Sequence, residues 1–184
     1  MKMSPVKKLC ICAICIALCY VLPLVFHSFG LGSVFAPLHI PVLLCGLICG
    51  SLYGGICGVL GPILSSLLTG MPPATALVSM IPELLVYGLT TGLMMKWVRT
   101  GKLGADLYIS LAVAMVLGRI VAGIAKAIFM AIMSTGEVFT LALWISGHFV
   151  SAFPGIVTHL VVIPLLMAVL IRARVIPARY SKVS

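Results

Sequence analysis

Of the 184 residues, 62% are apolar and only 8% charged, too few charges to cover a water-soluble domain of this length. The net charge of +9 does not point to a nucleic-acid partner, because ten of the twelve Lys and Arg fall in three clusters at the ends of long apolar runs. That is where the positive-inside rule puts cations in cytoplasmic loops.

Several apolar runs reach the roughly 20 residues that a spanning helix needs, and none shows the apolar–polar alternation of a membrane-barrel strand. The predicted class is an all-α membrane protein, a single integral membrane domain over residues 1–184. A first span is expected at 8–29; the run from Leu9 to Phe26 is too long for a signal peptide and no clean A-x-A-like site follows it. A charge-free loop, Ser28 to Pro37, leads into Leu38 to Leu68, an apolar stretch broken by Pro41, Pro62 and several glycines. At about 1.5 Å per residue this stretch is too long for one crossing and short for two.

Charge decides the number. Lys2, Lys7 and Lys8 place the N-terminus inside, and Lys96, Arg99 and Lys102 place the next charged loop inside. An even number of crossings must separate them, so the stretch is expected to cross twice as short helices, 37–51 and 54–69, turning near Ser51 to Gly55. Further spans are expected at 76–98, 107–133 and 144–171, with Glu137 alone charged in the last outer loop and Arg172, Arg174, Arg179 and Lys182 in an inner tail. Six transmembrane helices with cytoplasmic N- and C-termini satisfy every cluster.

Small residues recur at helical spacing. Gly46, Gly50, Gly54 and Gly58 come every fourth residue, and Ala13 and Ala17 form an Ala-x-x-x-Ala. Such spacing lets helix backbones approach closely, either within the bundle or against a partner. The seven cysteines all lie in apolar stretches, where thiolates are disfavoured, so packing is expected of them before metal or redox chemistry.

Charges inside a bilayer are expensive and mark functional interiors. Three occur: Glu83, Arg119 and Lys126. Arg119 and Lys126 are seven residues apart and share a helix face with Gly123 between them, a face that calls for an anion. Glu83 would serve, as an ion pair that fixes packing, and so would a substrate carboxylate or phosphate. Lys126 is also placed to snorkel to the outer interface. His39 and His148 fall near the outer side, as ligand contacts or as interfacial residues, while His159 reads as a packing residue and Trp144 as part of the aromatic belt.

Enzyme classes fail on specifics. There is no H-E-x-x-H, three scattered acidic residues cannot hold two metals, and no G-x-x-x-x-G-K-[ST] is present to power transport by ATP. A channel is left without a specific feature in its favour.

The block Pro37-Leu38-His39-Ile40-Pro41-Val42-Leu43-Leu44-Cys45-Gly46 is followed by Gly54, by Gly61-Pro62 and by Leu68-Thr69-Gly70-Met71-Pro72-Pro73. Pro82-Glu83-Leu84 and Tyr87-Gly88 come next. Together these resemble the substrate-binding S component of energy-coupling factor (ECF) transporters, small six-helix bacterial proteins that bind a vitamin or related micronutrient. The motifs cover about a third of the chain. The resemblance implies a transport subunit that is not an enzyme and needs no cofactor. It implies a multi-pass place in the bacterial plasma membrane, and partners in a transmembrane coupling (T) subunit and two ATPase subunits.

It also implies a ligand held near the outer surface, beneath Ser28–Pro37 and Thr69–Thr75, and a coupling-subunit contact at Ala13 and Ala17. The candidate ligand residues are accordingly His39, Pro72, Glu83, Tyr87, Arg119, Lys126 and His148. The two cations favour an anionic vitamin, and the resemblance puts pantothenate first, with folate and cobalamin next.

Overall fold

A computed structural model of the chain describes residues 3–28, 30, 36–133 and 140–177. Every regular element among them is helical: α1 (Pro5–Ser28), α2 (His39–Cys49), α3 (Ser51–Thr69), α4 (Ala74–Trp97), α5 (Leu103–Met133), α6 (Leu141–Ile145), a π-helical turn (Ser146–Val150) and α7 (Phe153–Arg172). Helices α3, α4, α5 and α7, with Pro5–Phe26 of α1, are long and apolar enough to cross a membrane. The eleven residues of α2 span only about 16 Å, half a bilayer.

The reversal between α2 and α3 comes at Gly50, one residue before the segment expected to turn. Gly50 adopts φ 98°, a conformation that a side chain would strain, and donates its N–H to the Gly46 carbonyl. From there α3 packs on α1, α2 and α4, and α4 packs on α5. The last crossing also differs from the 144–171 expected: a short helix and a π turn precede α7, which begins at Phe153.

Glycines set the helix spacing. A Cβ on Gly54 would meet the Gly88 carbonyl, and one on Gly58 would lie 2.6 Å from the Leu84 carbonyl carbon. One on Gly92 would lie 2.5 Å from the Cα of Ser51. The every-fourth-residue glycines of α2 and α3 therefore face Leu84, Gly88 and Gly92 of α4, and the helices meet backbone to backbone. This places the glycine pattern at the packing seam of the bundle.

The cysteines close the other side of α3. Cys12, Cys15 and Cys19 are buried along α1, and the thiols of Cys12 and Cys19 approach the carbonyls of Tyr53 and Leu38 at 3.6 and 3.8 Å. Ala13 and Ala17 lie on the opposite, exposed side of α1 among Leu9, Ile14, Leu18 and Val21. Leu52, Ile56, Leu60 and Leu67 of α3, and Val116, Ile120, Ile124 and Ile128 of α5, likewise point outward. In water such exposure would drive aggregation; against lipid it is the expected exterior.

Candidate functional site

The short α2 positions the polar centre. Because it begins at His39, well inside the bundle, the chain from Pro37 to Leu38 is buried too, and so is the imidazole of His39. Glu83 lies nine residues into α4, about 14 Å along it, and Arg119 sixteen residues into α5, about 24 Å along it. His39, Glu83 and Arg119 thus come from three helices to one level.

Tyr87, one turn after Glu83, joins them. Its hydroxyl donates to Glu83 Oε1 at 2.8 Å and accepts from Arg119 Nε at 3.3 Å. On the other side of the carboxylate, His39 Nε2 stands 3.8 Å from the same Oε1. The phenol is therefore interposed between the anion and the cation, and the expected ion pair of Arg119 with Glu83 is bridged through it. Gly118 admits the ring, since a Cβ there would strike Tyr87.

Arg119 is 5% exposed and held on further sides. Its guanidinium carbon lies 5.5 Å from the centroid of the Phe149 ring, a cation–π geometry, and Trp144 Nε1 donates to its carbonyl at 3.1 Å. Trp144 in turn meets Phe149 edge to face at 5.3 Å and fills the space that Gly123 leaves open. Trp144, expected in an aromatic belt, is thus turned inward by its hydrogen bond and by the missing Cβ of Gly123.

His159 completes the group. Its ring stacks on His39 at 5.5 Å, and His39 is 5.4 Å from the Tyr87 ring. One carbonyl ties the two imidazoles together: Ala36 O accepts from His39 Nδ1 at 3.2 Å and from His159 Nε2 at 3.3 Å. Ala36 reaches that position with φ 45°, a left-handed backbone that costs an alanine about 1–2 kcal/mol. A carbonyl only accepts, so the neutral His159 ring is the Nε2–H tautomer and its Nδ1 is an acceptor. That Nδ1 is fully buried and has no hydrogen-bond partner among the described residues. His159 is thus buried and hydrogen-bonded, as the sequence suggested, and Nδ1 is an acceptor with no partner among the described residues.

The remaining candidates lie elsewhere. Lys126 is exposed and lines a separate groove of about 370 Å³ with Thr75, Ser79 and Phe129, at the start of α4. Two turns separate it from Arg119, about 10 Å along the axis, so one shared face does not make one site. Pro72 follows a cis peptide in the α3–α4 loop, where its carbonyl and that of Met71 take the hydroxyls of Ser66 and Ser65, both at 2.8 Å. His148 belongs to the π turn, and its side chain lies outside the described residues, as do most of the Ser28–Pro37 loop and Glu137.

Sequence reasoning passed over Phe149 and Asp106. The second is buried and clamps its own loop, its Oδ1 accepting from Thr100 N–H at 2.9 Å and from the Thr100 hydroxyl at 2.7 Å. An acidic residue at the start of a long helix, six residues after a threonine in a charged loop, was the available signal.

What the centre can do chemically is bind. It offers a cation in a fixed orientation, a hydroxyl, a carboxylate and an unused acceptor, all buried among apolar helices. No curated protein and no solved structure matches the chain. A family model described as "ECF transporter, substrate-specific component" matches residues 7–171, nearly the whole length, and the chain belongs to that family.

Proposed function

We propose that this substrate-specific component binds a small anionic vitamin at the buried centre of His39, Glu83, Tyr87, Arg119 and His159, and that pantothenate is the first candidate. The observation that carries the reading is a pre-oriented guanidinium, Arg119, in the same centre as an acceptor with no partner among the described residues, His159 Nδ1. A planar guanidinium held by its neighbours suits a carboxylate, and a buried acceptor without a partner suits a ligand hydroxyl or amide N–H. Pantothenate carries both kinds of group. Folate and cobalamin are the next candidates. Lys126 and His148 stand nearer the outer end, on the side from which a ligand would enter, and Pro72 and its loop form part of the cover above the centre.

The chain works without an enzymatic step of its own, in the plasma membrane of a bacterium and with both termini in the cytoplasm. Ala13 and Ala17, exposed on α1, provide a flat strip for a helix of the coupling subunit, and two ATPase subunits supply the energy. The apolar outer faces of α3 and α5 suit a protein that tilts in the bilayer to deliver its ligand.

The test is thermal stabilisation of the purified protein against a panel of vitamins. The expected result is a rise in melting temperature with pantothenate that Arg119→Gln abolishes. Stabilisation by a neutral or cationic vitamin alone would overturn the anionic reading.

A further inference from the structure

At the end of the bundle where the cations gather, a cavity of about 470 Å³ opens between helices, remote from the histidine–arginine centre. Its cations are Lys8 from the start of α1, Lys96 from the end of α4 and Arg99 from just beyond that end. No acidic side chain is among the described residues lining it, and no carboxylate among the described residues pairs with these three.

The floor is bare backbone, at Gly46, Gly50 and Gly92. Gly50 turns the chain there with its positive φ, and the tight crossing of Gly92 over Gly50 and Ser51 fixes the floor's shape. The walls are hydrocarbon: Met95, Leu103, Met167, Ile171 and Ile176. Cys49 ties the α2 wall to α1, its thiol 3.5 Å from the Lys8 carbonyl.

Two properties must be met by one occupant, a negative group at the cations and an apolar body against the walls. Inorganic phosphate or a small free metabolite would meet only the first, leaving apolar wall against water. A phospholipid headgroup with the beginning of its acyl chains meets both. Basic pockets between helices at this membrane level select anionic lipids.

We infer that this cavity is a binding site for an anionic phospholipid of the leaflet in which the cationic end lies, with Lys8, Lys96 and Arg99 holding the phosphate and the walls holding the acyl chains. The charge complementarity and the apolar lining are what commit the site to a lipid.

The full chain in a nonionic detergent is titrated with phosphatidylglycerol, with phosphatidylcholine of the same acyl chains and with inorganic phosphate, and binding is counted by native mass spectrometry. Phosphatidylglycerol is expected to bind most tightly, and inorganic phosphate at the same concentration not to displace it. At about fivefold per cation, the triple change Lys8→Gln, Lys96→Gln, Arg99→Gln should weaken phosphatidylglycerol roughly a hundredfold.

The charge-matched change Lys7→Gln, Lys102→Gln, Arg174→Gln, which replaces no lining residue, should leave it close to the unmodified protein. Met95→Trp, which keeps every cation and fills the space, should also lose the lipid, and it decides the matter if the triple variant does not fold. Equal losses in the two triple variants would overturn the inference, as would phosphatidylcholine binding equally well. Competition by free phosphate or retention of the lipid by Met95→Trp would overturn it too.

Discussion

Replacing Gly88 with alanine drives a methyl group into the backbone of α3. The added Cβ would meet the Gly54 carbonyl and stand 2.9 Å from the Gly55 nitrogen, where ordinary contact begins at 3.4 Å. Neither neighbour is a side chain that can rotate away, so the helices must part, by about 0.5 Å for the second contact and roughly 1 Å for the first. A gap of that size forfeits a quarter to a half of each dispersion contact along the seam.

Overpacking typically costs about 1–3 kcal/mol, and a rigid backbone neighbour puts this case at the upper end or beyond, about 3 kcal/mol or more. Because Tyr87 and Glu83 sit within about one and a half turns of Gly88, the same displacement should weaken ligand binding. Reversible unfolding in mixed micelles of nonionic detergent and SDS gives the stability change. Gly104→Ala is the control, since nothing lies within 4 Å of a Cβ there, and it should gain a few tenths to about 1 kcal/mol. If Gly88→Ala were as stable as Gly104→Ala, the backbone-to-backbone packing of α3 on α4 would be refuted.

Neutralising Arg119 should remove a charge-assisted contact of roughly 1.5–3 kcal/mol, about 10- to 150-fold in ligand affinity by equilibrium binding. In a well-folded Arg119→Gln, Glu83→Gln double variant binding should stay weak, and near-normal affinity would mean that the two charges serve only packing. Replacing Ala13 or Ala17 with leucine should abolish vitamin uptake in cells while ligand binding by the isolated protein survives; loss of both would place the alanines in an internal contact. In a cysteine-free background, single cysteines at Ser33 and Ser134 should react with an impermeant reagent in intact cells, and one at Ser181 only after lysis. Asp106→Ala strips the Thr100 N–H and hydroxyl of their shared acceptor and should destabilise the chain by about 1–3 kcal/mol in the same micellar unfolding assay.

Much of this protein is legible in one dimension because a bilayer is an unforgiving solvent. Backbone polar groups must be satisfied within each crossing, so helices follow from apolar length alone. The cations mark the helix ends by the same logic, and the structure brings Lys8, Lys96 and Arg99 to one end of the bundle. Glu83 and Arg119 announced themselves as interior groups because lipid would not tolerate them, and the glycine spacing on α2 and α3 announced a close helix approach.

What the sequence could not carry is which face of each helix looks inward. In water the polar stripe of a helix reveals its core face, but here the lipid face and the core face are both apolar, and the stripe is absent. Hence Gly88 and Gly92 as partners of the glycine row and the inward turn of Trp144 emerged only from packing. So did the two hydrogen bonds of the Tyr87 hydroxyl, and the stacking of His159 on a residue 120 positions away, where a long-range fold left one acceptor without a mate among the described residues.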